Sequence, residues 1–78
     1  MKHTILNRSS LGGGKRQALV ELQPETAAEA RAITQVERAT ATEQEQALIN
    51  DYILFNLGLG DVFDSQQHGN RFTVNYII

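Results

Sequence analysis

The sequence predicts a small α+β domain: an antiparallel sheet of two hairpins, in the order β-β-α-α-β-β, with one bent or two helices packed on one face. Three observations predict it. Residues 16–22 and 71–78 alternate apolar and polar side chains, the period of a strand with one buried face. Residues 26–58 hold helix-start signatures and apolar side chains at helical spacing. Glycine or proline marks the breaks between these segments. The 78 residues are enough for a single domain, 1–78, but one with a thin stability margin, because short chains bury proportionately less surface.

The first hairpin is expected over residues 2–22. In its second strand Ala18, Val20 and Leu22 point one way and Gln17, Leu19 and Glu21 the other. Its first strand, residues 2–8, alternates less regularly. Between them Ser9-Ser10-Leu11-Gly12-Gly13-Gly14 reads as a flexible loop, since glycine admits positive φ without steric cost. Pro24 ends the pairing, because proline has no amide proton to donate.

Thr26-Ala27-Ala28-Glu29 matches a capping box and should start a helix running to about Arg38. Ala39-Thr40-Ala41-Thr42 leaves one bent helix and two helices both open, with Thr40–Glu43 and Thr42–Glu45 as alternative second caps. The helical segment should reach Leu57, with Gly58-Leu59-Gly60 as its stop. A strand pair is expected over 61–78. Asp61–Asp64 forms a short first strand, Ser65–Asn70 a turn-like link and Arg71–Ile78 the second strand, with Phe72, Val74, Tyr76 and Ile78 on one side.

The second helical stretch is apolar over more of its circumference than one sheet requires. At about 100° per residue, Leu48, Tyr52, Phe55 and Leu59 form one stripe. Ile49, Ile53 and Leu57 form another, and Leu54 stands apart. Together they cover roughly 200° of the wheel, against about 100° for a helix lying on one sheet. Either the first helix covers the excess or a second molecule does. A homodimer is the simplest assembly. Leu54, Ile77 and Ile78 are the expected self-association residues, with the last strand offering its backbone to a partner if it lies at a sheet edge.

Charge is sorted along the chain. Residues 1–20 carry Lys2, Arg8, Lys15 and Arg16 and no acid, whereas residues 21–64 carry all nine acids against Arg31 and Arg38. The net charge of −2 conceals this separation, which bears on docking orientation rather than fold. With no cysteine, disulfides and thiolate metal sites are excluded, as suits a reducing compartment. Residues 1–8 lack the apolar run of a secretory signal, and the Leu48–Leu59 cluster is too short and polar to span a bilayer. A cytoplasmic location with no membrane contact is therefore expected.

No motif specifies a chemistry, so neither enzymatic activity nor a cofactor is expected. Gly12-Gly13-Gly14-Lys15 lacks the Ser or Thr that a phosphate loop places after its lysine, and it joins strand to strand rather than strand to helix. His3 and His68 are too few for a zinc site without recruited carboxylates. Asp61-x-x-Asp64 lacks the oxygen spacing of a calcium loop. Ser9, Ser10 and Ser65 sit in no nucleophile elbow. Gly69–Tyr76 has Arg71 and Thr73 where an RNA-recognition strand needs stacking aromatics.

What remains is a non-enzymatic protein-interaction module. Lys15, Arg16, Arg8 and Arg71 are its expected contacts with a protein partner, for which an acidic surface is the natural complement. A nucleic-acid binder using the same basic residues, gathered with Lys2 and His68 on one face or loop end of the sheet, is the alternative. In size and lack of motifs alone, the chain resembles small regulatory or inhibitory proteins of phages and mobile elements, such as anti-CRISPR proteins. No residue carries that likeness.

Overall fold

The computed structural model describes residues 1–78 and has the expected class and order. Its elements are β1 (Lys2–Gly12), β2 (Lys15–Gln23), α1 (Ala27–Glu37), α2 (Glu43–Phe55), β3 (Asp61–His68) and β4 (Arg71–Ile77). The four strands form one antiparallel sheet in the order β1-β2-β4-β3. The strand ending at Ile77 is therefore central, not an edge. Ile77 pairs with Lys15 on one side and Asp61 on the other, so its backbone is not free for strand addition.

Alternation decides what is buried. Ala18, Val20 and Leu22 of β2 and Phe72, Val74 and Tyr76 of β4 face the helices, and all six are buried. Ala32 and Ile33 of α1, Ile49 and Ile53 of α2 and Leu57 after it close the core, with no buried polar residue. The other sheet face is uncovered and held by polar cross-strand pairs. Gln23 Nε2 donates to Thr4 Oγ1 at 2.7 Å, Arg71 Nε to Glu21 Oε2 at 3.2 Å, and Gln17 Nε2 to Asn75 Oδ1 at 3.0 Å.

There are two helices. Both start in a full capping box, Thr26 with Glu29 and Thr42 with Glu45, so the Thr40–Glu43 alternative is not used. The first ends because Ala39 takes a left-handed φ of 58°. The amides of Ala39 and Thr40 then turn back to the carbonyls of Val36 and Gln35, the bonding of a Schellman stop. Arg31 Nε reaches Glu45 Oε2 at 3.3 Å and ties the helices together.

Both edge strands are longer than the sequence predicts. β1 continues through Ser9–Gly12, leaving only Gly13-Gly14 as the turn, with φ of 62° and 79°. Positive φ at both positions is what a tight primed hairpin turn needs. β3 runs on through Ser65–His68, because pairing to β4 supplies the ladder that polar side chains do not advertise. Gln67 Nε2 donates to the Ile33 carbonyl at 2.8 Å and secures this edge to α1. At about 3.3 Å per residue, the eleven residues of β1 account for the longest dimension of the molecule, 37 Å.

Candidate functional site

The edge strands depart from regular pairing. In β1 the register skips Leu6, between Ile5↔Val20 and Asn7↔Leu19, and slips again between Ser10 and Gly12. In β3 it skips Phe63, between Val62↔Tyr76 and Asp64↔Asn75. Each skipped residue is a β-bulge, which turns its side chain away from the alternation of its neighbours. Phe63 is consequently 50% exposed and Leu6 42% exposed.

Phe63 sits at the centre of an exposed apolar strip. A shallow groove of about 180 Å³ between α2 and β3 is lined by Ile53, Leu54, Val62 and Phe63, with Asn50, Asp64 and Ser65 at its rim. Leu54 is 44% exposed on the groove's helix wall. On the uncovered sheet face, Lys15 Nζ lies 5.8 Å from the centre of the Phe63 ring, a cation–π distance. Ile77 lies in register between Lys15 and Asp61 and is half-exposed, and Ile78 follows it, exposed. The strip thus runs from Ile77 over the β3 edge at Phe63 to Leu54.

Leu54 and Ile77, expected from sequence as association residues, fall at the two ends of this strip. Phe63 and the exposed Phe55 were not legible as surface residues. Phe63 reads as the interior of a short strand, and only a bulge, which has no composition signal here, turns it out. The two stripes of the second helix also separate. Ile49, Ile53 and Leu57 are buried and Tyr52 and Leu59 partly so, whereas Leu48 and Phe55 are exposed. The first helix does not cover the excess.

The basic residues do not form one footprint. Arg8, in the middle of β1, and Arg16, near the hairpin turn, lie on the helix side, in register with Ala18 and Tyr76. Lys15 lies on the opposite face. None of the three forms an ion pair with a carboxylate. Arg71 is at the other end of β4, with its charge engaged by Glu21, and His68 is its register partner. Lys2, also at that end, is 3.8 Å from Glu25. Six residue steps along the strand separate Arg71 from Ile77, about 20 Å, so a single patch holding all the expected bases is ruled out by topology.

At the end of the molecule away from the hairpin turn, the Met1 amino group lies 2.8 Å from Glu25 and 2.7 Å from Glu29. Its pKa is raised, first by the hydrogen bond to Glu25 and then by that to Glu29. Glu29 is lowered in turn, chiefly by that amino group and then by the Glu25 amide. Tyr52 is hydrogen-bonded to His3 Nδ1 at 2.7 Å. Its pKa is raised by burial and then by the negative charges of Glu25 and Glu29, so it stays a neutral hydroxyl. This cluster holds the start of β1 to the helices and contains no activated nucleophile. No serine hydroxyl is hydrogen-bonded to a histidine, and no three His, Asp or Glu side chains converge in a ligand arrangement. No helix is long and apolar enough to cross a membrane.

Comparison with protein-family models, curated proteins and solved structures found no match.

Proposed function

We propose that this chain is a non-enzymatic protein-binding module that associates with copies of itself and regulates a protein partner in a reducing compartment such as the cytoplasm. The observation that carries this reading is the apolar strip Leu54–Phe63–Ile77, rimmed by Asn50, Asp64 and Ser65 and reaching a sheet face held by polar pairs. Contiguous exposed apolar residues rimmed by polar ones mark interaction surfaces. Covering Leu54, Phe63, Ile77 and Ile78 is worth on the order of 4 kcal/mol, before the cost of association is subtracted. Self-association should therefore rise and fall with concentration.

The test is light scattering of the wild type beside Leu54→Asp and Phe63→Ser. Neither residue is in the core, so both variants should keep the wild-type circular dichroism. Each should shift the association midpoint to higher concentration by at least about tenfold. Variants that fold and associate like the wild type would remove the strip as the binding surface.

A second reading rests on a separate observation: Arg8, Lys15 and Arg16 of the β1–β2 hairpin have no carboxylate partner. Such cations can contact phosphates of nucleic acid. Labelled single-stranded and duplex DNA separates the readings, because phosphate contacts release counterions and weaken steeply with salt. The favoured reading expects no salt-sensitive shift at low ionic strength. A shift that disappears between about 50 and 200 mM salt, and that Lys15→Glu with Arg16→Glu removes, would instead support nucleic-acid binding.

A further inference from the structure

We propose that β1 of one copy adds to β3 of another in antiparallel pairing, so that the sheets of successive copies join edge to edge. This rests on the reading of the chain as a self-associating module and specifies its geometry.

The two edges are available and correctly oriented. β1 and β3 are the outer strands of the sheet, and none of the backbone–backbone hydrogen bonds outside the regular elements involves either of them. On β1 the Arg8 amide donates to Asn7 Oδ1 at 2.9 Å and the Gly12 amide to Ser10 Oγ at 3.2 Å, exposed local bonds that an incoming strand would replace. Each strand is antiparallel to its neighbour, so the first and fourth strands across the sheet run in opposite directions. A second copy, shifted sideways in the same orientation, therefore presents its β1 antiparallel to β3.

The bulges then select a register. A bulge guards an edge against a regular strand, because the extra residue throws the faces of the two strands out of phase. A matching bulge on the incoming strand restores the phase. When the Leu6 bulge faces the Phe63 bulge, Ile5 comes opposite Ser65 and Arg8 opposite Val62, all on the helix side. On the uncovered side, Thr4 comes opposite Gln66 and Ser9 opposite Asp61. Every regular pair from Lys2 with His68 to Ser9 with Asp61 shares a face, judged from the registers within the sheet. The overlap takes in the whole of β3.

Charge and apolar surface agree with this pairing. β1 carries Lys2 and Arg8 and no acid, whereas β3 carries Asp61 and Asp64 and no lysine or arginine. Two β1 edges or two β3 edges would bring together strands of like net charge, whereas a β1 edge against β3 joins strands of opposite net charge, with no base directly opposite an acid in this register. Leu6 and Phe63, the exposed side chains of the two bulges, meet. Ile5 arrives beside Ser65 at the rim of the groove that Leu54 lines. The contact joins different patches on the two copies, so it builds a filament or a closed ring rather than a two-fold dimer.

The absence of cysteine allows a direct test by disulfide trapping. Thr4→Cys and Gln66→Cys are made in separate chains, mixed and oxidised under mild conditions. Both positions are exposed. They lie on opposite edges of one sheet, about 14 Å apart across three strand spacings, too far to bridge within a chain. The mixed dimer, one T4C chain linked to one Q66C chain, should exceed either self-linked dimer, and the slipped pair Thr4→Cys with His68→Cys, by about tenfold. Both substitutions in one chain should give a ladder of linked oligomers on a non-reducing gel. If either variant fails to fold, Ser9→Cys with Asp61→Cys asks the same question. Self-linked dimers in equal or greater amount overturn the pairing. So does the absence of linkage in a protein whose wild-type scattering mass exceeds that of one chain, which leaves the protein-binding reading intact. A wild type of single-chain mass at every concentration overturns both.

Discussion

Ala39 carries a conformation that its side chain disfavours. It occupies the left-handed position of the α1 stop with φ of 58°, where helices commonly place glycine. The clash between Cβ and the following carbonyl costs on the order of 1 kcal/mol. Ala39→Gly should therefore raise unfolding stability by about 1 kcal/mol, somewhat reduced by the greater freedom of glycine in the unfolded chain. Urea unfolding at equilibrium checks this, and an unchanged or lower midpoint would remove the strain argument. The same residue explains why the sequence left the helix count open. No glycine or proline stands between Arg38 and Thr42, so the break has no ordinary punctuation, and it is made by backbone geometry plus the Thr42 cap. Gly60 shows the opposite case. A Cβ there would run into the carbonyl oxygen of Ile77, and only glycine lets the link after α2 close over the end of β4.

At the scale of elements, the first helix start was legible outright and the second as one of two alternative caps. Thr26 with Glu29 and Thr42 with Glu45 are local patterns, and each forms both bonds of its capping box. Their chemistry leads to a pH dependence. Glu29 is held below its ordinary value of 4.5, first by the Met1 amino group. Glu45 is held below it first by the Thr42 amide. A carboxylate with a lowered folded-state pKa contributes stability above its unfolded value, and that contribution is lost as pH falls through the folded value. Wild-type stability should therefore decline as acidification passes below 4.5. The double variant Glu29→Gln, Glu45→Gln should start lower at neutral pH and decline less. Urea midpoints from about pH 6 down to about pH 3 check this, and parallel curves for the two proteins would contradict it. The edge strands were less legible. Ser65–His68 carries no apolar alternation, yet it is strand because β4 pairs with it and Gln67 is anchored to α1. Composition sees a strand's buried face, and an edge strand can have little of one.

At the scale of the whole molecule, the sorted charges of the sequence separate only in part in space, because Lys2 and Arg71 lie at the acidic end beside Glu25 and Glu21 and Asp61 lies in the cross-strand row of Lys15. Lys15 and Arg16 lie at the hairpin end with Arg8 in the middle of β1, and Glu25 and Glu29 hold the Met1 amino group at the other end. That asymmetry orients approach to a charged partner. The apolar surplus was visible in the sequence, and so were Leu54, Ile77 and Ile78 as exposed members of it. What joins Leu54 to Ile77 was not visible, because it depends on the strand order and on the bulge at Phe63. Those are long-range properties set by pairing between residues far apart in the chain. The core is correspondingly modest, with 11 of 78 residues buried, which is the situation in which small domains gain from association.

Sedimentation velocity of the unmodified protein over a dilution series tests the central claim most directly, namely that the strip across the β3 edge is a surface built to be covered. Species heavier than the 8.7 kDa chain should appear as concentration rises and disappear on dilution. A single 8.7 kDa species up to millimolar concentration, where even weak contacts are populated, would contradict it.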